Sequence, residues 1–253
     1  MTPNNYIRWV LAKYELAEGT TSPAEKAVEE LKPLLKEWAG RYLLNLTLCG
    51  SYAKGTRVKG GTDIDILISL GPRTPLDMAK VYEHFFNWLR KRGFTPFKEN
   101  IALRLSYHGL AIHLIPAKQE WGTTNDHLIF ETTRNRITRT NFDAHIKLIR
   151  AAGRASEIKA LKIWRSLRGL RFPSFCLELV VIHALRQQPH DVLAGNMERV
   201  LKCLRDEFPT TPFRDPANYE NIVSDELLEH EKLAIADAAA ESLTQTTWSK
   251  IIW

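Results

Sequence analysis

The chain has 253 residues, 44% of them hydrophobic and 25% charged, which is enough apolar material for a real core and a length that fits one large domain or two small ones. Three cysteines (Cys49, Cys176, Cys203) lie far apart with no CxxC pair, so neither a disulfide scaffold nor a structural zinc site is indicated. No apolar run reaches the length of a membrane span, so a soluble cytoplasmic protein with no membrane partner is expected, and a net charge of +6 permits a polyphosphate or nucleic-acid partner.

A short helical pattern covers residues 6–17. Ser22-Pro23 with Glu25 is N-cap and first-turn chemistry, and Ala27, Val28, Leu31, Leu34, Leu35 and Trp38 recur at helical spacing, predicting an amphipathic helix over 22–42 that Pro33 would bend or break. The apolar positions Leu44, Leu46 and Leu48 predict a strand ending at Gly50-Ser51. A basic connection punctuated by glycine (Lys54, Gly55, Arg57, Lys59, Gly60, Gly61) leads to Asp63-Ile64-Asp65 and a second apolar run through Leu70. Thr74-Pro75-Leu76-Asp77 starts a helix that runs to about Arg92 and stops at Gly93. Strands follow at 97–107 and 110–116, joined by a tight turn at His108-Gly109.

Residues 118–140 are polar and rich in Thr, Asn and Arg, and read as a connecting loop or lid carrying a basic cluster, Arg134, Arg136 and Arg139. Helical patterns then occupy 144–152, 156–167, 174–186 and 194–208, followed by a Pro-rich loop over 209–216 and a last helix from about Asp225 to Leu243. Trp9, Trp38, Trp88 and Trp164 fall at apolar helical positions and read as core. The order predicts an α+β fold: a mixed β-sheet lobe with flanking helices over 1–140, a helical lobe over 141–253, and a cleft shared by the two.

The chemistry concentrates between Gly50 and Asp65. Alternation along a strand puts Asp63 and Asp65 on one face and Ile64 and Ile66 on the other. Backbone N–H groups in a glycine-rich turn bind phosphate oxygens, and Ser51 adds a hydroxyl. Mg²⁺ takes oxygen ligands, commonly one or two carboxylates together with substrate phosphates, so this pair suits Mg²⁺ (or Mn²⁺) held against a nucleoside triphosphate.

Gly50-Ser51, a spacer, and Asp63-Ile64-Asp65 resemble the signature of the DNA polymerase beta-like nucleotidyltransferase superfamily. The form Gly50-Ser51-Tyr52-Ala53-Lys54-Gly55-Thr56 is most similar to the branch of oligoadenylate synthases, cyclic GMP-AMP synthases, bacterial cyclic-oligonucleotide synthases and archaeal CCA-adding enzymes. Lys162-Ile163-Trp164 and Ser174-Phe175-Cys176-Leu177-Glu178 look like two further elements of that branch. The resemblance implies a nucleotidyltransferase lobe followed by a helical triphosphate-binding lobe, and attack of a hydroxyl on the α-phosphorus of an NTP with loss of pyrophosphate. By the same resemblance Asp63 and Asp65 hold metal, Gly50 and Ser51 the phosphates, Lys162 and Ser174 the triphosphate, Phe175 a base, and Glu178 is a buried anchor. The implied acceptor is a second nucleotide, as in a messenger synthase. An RNA or tRNA 3′ end is the alternative, although the chain lacks the extra C-terminal domains with which CCA-adding enzymes grip tRNA.

The chain departs from the family at one position. A third metal-binding Asp is expected on a later strand, and Ile112-His113-Leu114-Ile115-Pro116-Ala117 places His113 there. Imidazole in place of a carboxylate weakens a magnesium site, suits softer ions, and removes a candidate base. His113 therefore stands in the metal and catalytic set beside Asp63 and Asp65. An enzyme damaged at this site, a nucleotide-binding pseudoenzyme and an active enzyme with altered metal use are all open, with Asp126 the one nearby downstream carboxylate to substitute.

Overall fold

Thr2 starts the first helix, α1 (Pro3–Lys13), its hydroxyl accepting from the Asn5 N–H at 3.3 Å, so the helix begins earlier than the pattern at 6–17 implies. The computed structural model describes residues 1–16, 22–60, 63–123 and 125–253; Ala17 and Gly61, which belonged to two of the sequence expectations, lie outside them. Helix α2 (Pro23–Ala39) is capped by Ser22, as its sequence predicts, and continues unbroken through Pro33. A 3-10 turn over Gly40–Tyr42 feeds β1 (Leu43–Leu48), the five-residue helix α3 (Gly50–Lys54) and β2 (Ile64–Leu70). Asp77 caps α4 (Met78–Lys91) by accepting from the Lys80 N–H at 2.9 Å.

The single strand expected over 97–107 is instead a hairpin, β3 (Phe97–Lys98) and β4 (Leu103–Tyr107). Its turn closes through the Glu99 N–H on Ala102 O at 2.9 Å, and the Tyr82 hydroxyl binds the carbonyls of both residues at 2.9 Å. The next turn is as predicted: His108 and Gly109 both have positive φ, 49° and 76°, the backbone a two-residue hairpin needs before β5 (Leu110–Gln119).

The loop expected at 118–140 is a second correction. It holds the end of β5 and an antiparallel pair, β6 (His127–Glu131) and β7 (Arg136–Thr140). These strands bury polar side chains, His127, Glu131, Thr138 and Thr140, each with 8% exposure or less, and a reading based on hydrophobic alternation misses them. The basic cluster is neutralised locally: Arg136 and Arg134 lie 2.9 and 3.6 Å from Glu131, and Arg139 lies 2.5 Å from Glu120.

The sheet runs β1-β2-β5-β4-β3, with β6 and β7 continuing from β5. β2 pairs antiparallel with β1 and parallel with β5. Ile64, Ile66, Ile68 and Leu70 on one face of β2, and Leu67 and Ser69 on the other, are at most 6% exposed. The first face packs on Leu31 and Leu35 of α2 and on Tyr82, Phe85 and Leu89 of α4. The second meets Cys49, Ala102, Ile115, Ala117 and Ile129. It is also the face that carries Asp65.

The described residues cluster into two compact units, Ala17–Lys54 with Thr62–Ile146, and Met1–Leu16 with Gly55–Gly61 and Lys147–Trp253. Helix α5 (Phe142–Ala151) crosses the sequence boundary between them. The helical unit contains α6 (Ala155–Leu167), α7 (Ser174–Ala184), α8 (Leu193–Asp206), a short hairpin of β8 (Arg214–Asp215) and β9 (Asn218–Ile222), and α9 (Glu229–Leu243). The hairpin and a 3-10 turn over Val223–Glu226 occupy the region read as loop and helix start. α1 belongs here and not with the sheet, because Ile7 and Val10 are buried in the core that Trp164, Val180 and Val200 share. Trp164 is fully buried, as expected, whereas Trp9 is 48% exposed with the Lys13 ammonium 4.7 Å above its ring. No helix among the described residues is long and apolar enough to cross a membrane.

Candidate active site

Gly50 and Asp65 meet because the turn after β1 folds back on β2. The Cys49 N–H donates to Asp65 O at 2.9 Å, and Gly50 takes a positive φ of 59° directly against the Asp65 side chain. A Cβ on Gly50 would lie 1.7 Å from Asp65 Oδ2, so the close approach demands glycine as much as the backbone conformation does. Ser51 follows, half-buried, in α3.

The parallel register of β2 and β5 sets Asp65 opposite His113, and their side chains bond, Nδ1 to Oδ1 at 3.0 Å. His113 Nε2 lies 3.2 Å from Glu99 Oε2 and 3.7 Å from Asp63 Oδ2, yet it is buried and has no hydrogen-bond partner among the described residues. With Nδ1–H donated to Asp65, Nε2 faces Glu99 and Asp63: in the charged ring it carries a proton toward these carboxylates, and in the neutral ring it offers a lone pair to a cation. Burial works against a charge on this ring, but the Asp65 hydrogen bond and the charges of Asp65, Asp63 and Glu99 outweigh it and hold the imidazole above its ordinary pKa. Arg104 faces His113 across β4 and β5, and its Nε lies 3.0 Å from Glu99 Oε1.

The sequence expectation of Asp63, Asp65 and His113 as one cluster matches where the sheet unit puts them, and Glu99 is the member it missed. Its backbone is fixed by the β3–β4 turn and by Thr132, whose hydroxyl donates to Glu99 O at 3.0 Å. Nothing in the local pattern marks this residue, because only the hairpin brings it to His113. Asp126, the substitute named from sequence, instead accepts from Asn141 Nδ2 at 2.8 Å before β6.

These residues carry the donor types a divalent cation takes, although no three of their ligand atoms lie within 4.8 Å of one another in this structure. Three carboxylates supply the hard oxygen donors that Mg²⁺ and Mn²⁺ take, and the orphaned Nε2 of His113 is a nitrogen donor already aimed at two of them. The nitrogen favours Mn²⁺ over Mg²⁺ relative to a site built of oxygen alone.

The other sequence-assigned residues lie in the helical unit. Lys162 is buried, and its ammonium reaches Glu178 Oε1 at 2.8 Å and Thr56 Oγ1 at 2.9 Å, while the Thr56 hydroxyl donates to the same Glu178 oxygen at 3.1 Å. Glu178, 1% exposed, is thus anchored by a cation and a hydroxyl. Ser174 is exposed at the start of α7 and accepts from Arg165 Nη1 at 3.1 Å. That guanidinium also donates to Phe172 O, and burial lowers its pKa against the raising influence of Glu178. Phe175 is partly buried against the helical core.

Neither a protein-family model nor a curated protein sequence matches the chain. Solved structures do. CdnC of E. coli MS115-1, in a structure with ATP, is 20% identical over 99% of this chain and 97% of its own, with a TM-score of 0.76. The CD-NTase CdnG of Bradyrhizobium diazoefficiens, in complex with GTP, is 14% identical over 98% and 94%, with a TM-score of 0.70. The CdnE cyclic dinucleotide synthase of Elizabethkingia meningoseptica is 13% identical over 97% and 100%, with a TM-score of 0.64. The chain has the fold that these three bacterial proteins share.

Proposed function

We propose that this chain is a metal-dependent nucleotidyltransferase that joins nucleoside triphosphates into an oligo- or cyclic-nucleotide messenger, releasing pyrophosphate. The observation that carries the reading is the convergence of Asp63, Asp65 and Glu99 on His113 beside Gly50 and Ser51. The fold shared with CdnC solved with ATP, CdnG solved with GTP and a cyclic dinucleotide synthase supports it.

In this reading Asp63, Asp65, Glu99 and His113 Nε2 hold the cation. Mg²⁺ or Mn²⁺ held there would neutralise phosphate charge and make an attacking hydroxyl more acidic. Gly50 lets Asp65 approach without a steric barrier, and Asp65 fixes the His113 ring. Ser51 offers its hydroxyl to the phosphates. In the helical unit the motif resemblance implies that Ser174 and Lys162 serve the triphosphate tail and Phe175 a base; the buried Lys162 ammonium would have to exchange Glu178 and Thr56 for phosphate to do so.

Incubation of the purified protein with labelled NTPs and Mg²⁺ or Mn²⁺, with and without total tRNA, tests this. A nucleotide product formed without RNA supports the messenger reading, and product formed only on RNA assigns end addition instead. The bond from Asp65 to His113 favours one other reading, a nucleotide-binding protein without turnover. NTP binding with no product in either metal would establish that reading in place of ours.

A further inference from the structure

The second half of the chain holds a cluster that nucleotide transfer does not use. His183 stands in the last turn of α7, and Cys203 and Glu207 lie one helical turn apart along α8 and its end. One ligand atom from each lies within 4.8 Å of the others, and this is the only such trio of metal-capable side chains among the described residues. His183 Nε2 is 3.0 Å from Glu207 Oε2, and the imidazole stands edge-on to Phe213 with ring centroids 5.4 Å apart, which orients it. His183 and Glu207 are exposed at the rim while Cys203 is 3% exposed beneath them. A cation can therefore enter from solvent and reach a sheltered sulfur.

We infer that His183, Cys203 and Glu207 form a Zn²⁺ site in the helical unit, with three protein ligands and a fourth position open to water. The donor set decides the ion. Thiolate sulfur with imidazole nitrogen and a carboxylate is the mixture Zn²⁺ takes, and Mg²⁺, which demands oxygen, does not compete for it. On binding, the Cys203 thiol gives its proton to solvent, the Cys203 S–H bond is replaced by S–Zn, and neither partner changes oxidation state. The spacing, a histidine on one helix and a Cys-x-x-x-Glu pair on the next, contains no CxxC, so sequence reading for a zinc motif passes over it.

Co²⁺ serves as a spectroscopic stand-in. The chelator-treated full chain titrated with Co²⁺ is expected to develop a thiolate-to-cobalt charge-transfer band that saturates at one equivalent and is bleached by Zn²⁺. Cys203→Ser should abolish the band. His183→Ala and Glu207→Gln, both at exposed positions that leave the core intact, should weaken Co²⁺ binding by about tenfold or more, equivalent to ~1.4 kcal/mol. Asp63→Asn should leave the band unchanged, which separates this site from the one beside Gly50. Absence of the band at one equivalent, or a band of undiminished affinity in both the His183 and Glu207 variants, overturns the assignment.

Discussion

The Asp65 carboxylate occupies the space that a side chain on Gly50 would need, 1.7 Å from where its Cβ would sit. Two requirements thus fall on one glycine, a positive φ and no Cβ. Gly50→Ala is expected to cost about 1–3 kcal/mol through the backbone alone. It should also displace Asp65 from His113. Turnover and Mn²⁺ affinity should fall much further than a thermal midpoint shift explains, and a variant that loses stability but keeps Mn²⁺ affinity would contradict this coupling.

Lys162 and Glu178 form a buried pair whose removal should be felt in stability before chemistry. Glu178→Ala deprives a buried ammonium of its carboxylate and is expected to cost about 3–5 kcal/mol. The double variant Lys162→Met with Glu178→Leu should cost clearly less than Glu178→Ala, because no charge is left inside. Urea midpoints of the three proteins measure the difference. Equal losses in the single and double variants would show that packing, not charge, carries the effect.

His113→Asp replaces the nitrogen at the centre of the carboxylate cluster with a fourth negative charge. Without metal the variant should unfold at a lower temperature than the native chain, since Asp63, Asp65 and Glu99 then repel it. Mg²⁺ should restore the midpoint, and Mg²⁺-supported turnover should rise relative to Mn²⁺. Glu99→Gln should lower Mn²⁺ affinity in the native background. Thermal scans with and without each ion, with isothermal titration of Mn²⁺, give both readouts.

His127 makes a different pH dependence. Its Nδ1 lies 2.9 Å from Asn125 O and its Nε2 lies 2.8 Å from Ser69 Oγ, a pattern suited to the neutral ring with Nδ1–H donating and Nε2 accepting. Burial depresses its pKa despite the raising influence of Asn125 O and Asp126. A histidine that binds its proton more readily when unfolded contributes stability that is present above the ordinary value of about 6.5 and lost as pH falls below it. The thermal midpoint of the native chain should therefore drop more steeply on acidification below that pH than that of His127→Gln.

The motif pair Gly50-Ser51 and Asp63-Ile64-Asp65 was legible because its chemistry is local: one turn, one strand, two carboxylates on one face. The caps at Ser22 and Asp77 and the turn at His108-Gly109 were legible for the same reason. Glu99 was not, because it reaches His113 only through a hairpin whose turn depends on Tyr82, a residue of another helix. β6 and β7 were missed because Glu131, Thr138 and His127 are buried polar groups, held by Arg136 and Ser69 among others, and hydrophobic periodicity cannot register polar burial. Lys162 shows the same limit at one side chain: the motif located it, but not its engagement with Glu178 and Thr56.

The placement of α1 among the C-terminal helices bears on how the chain is made. Tyr6 and Tyr14 donate their hydroxyls to Ile252 O and Trp253 O, at 3.1 and 3.0 Å, and Ile7 and Val10 bury against residues that follow the whole sheet in sequence. An isolated helix of this length is marginal in water. During synthesis the sheet strands can therefore pair while α1, already outside the ribosome, still waits for its core. A helix made before the sheet thus folds after it, and until then its apolar stripe stays uncovered on the nascent chain.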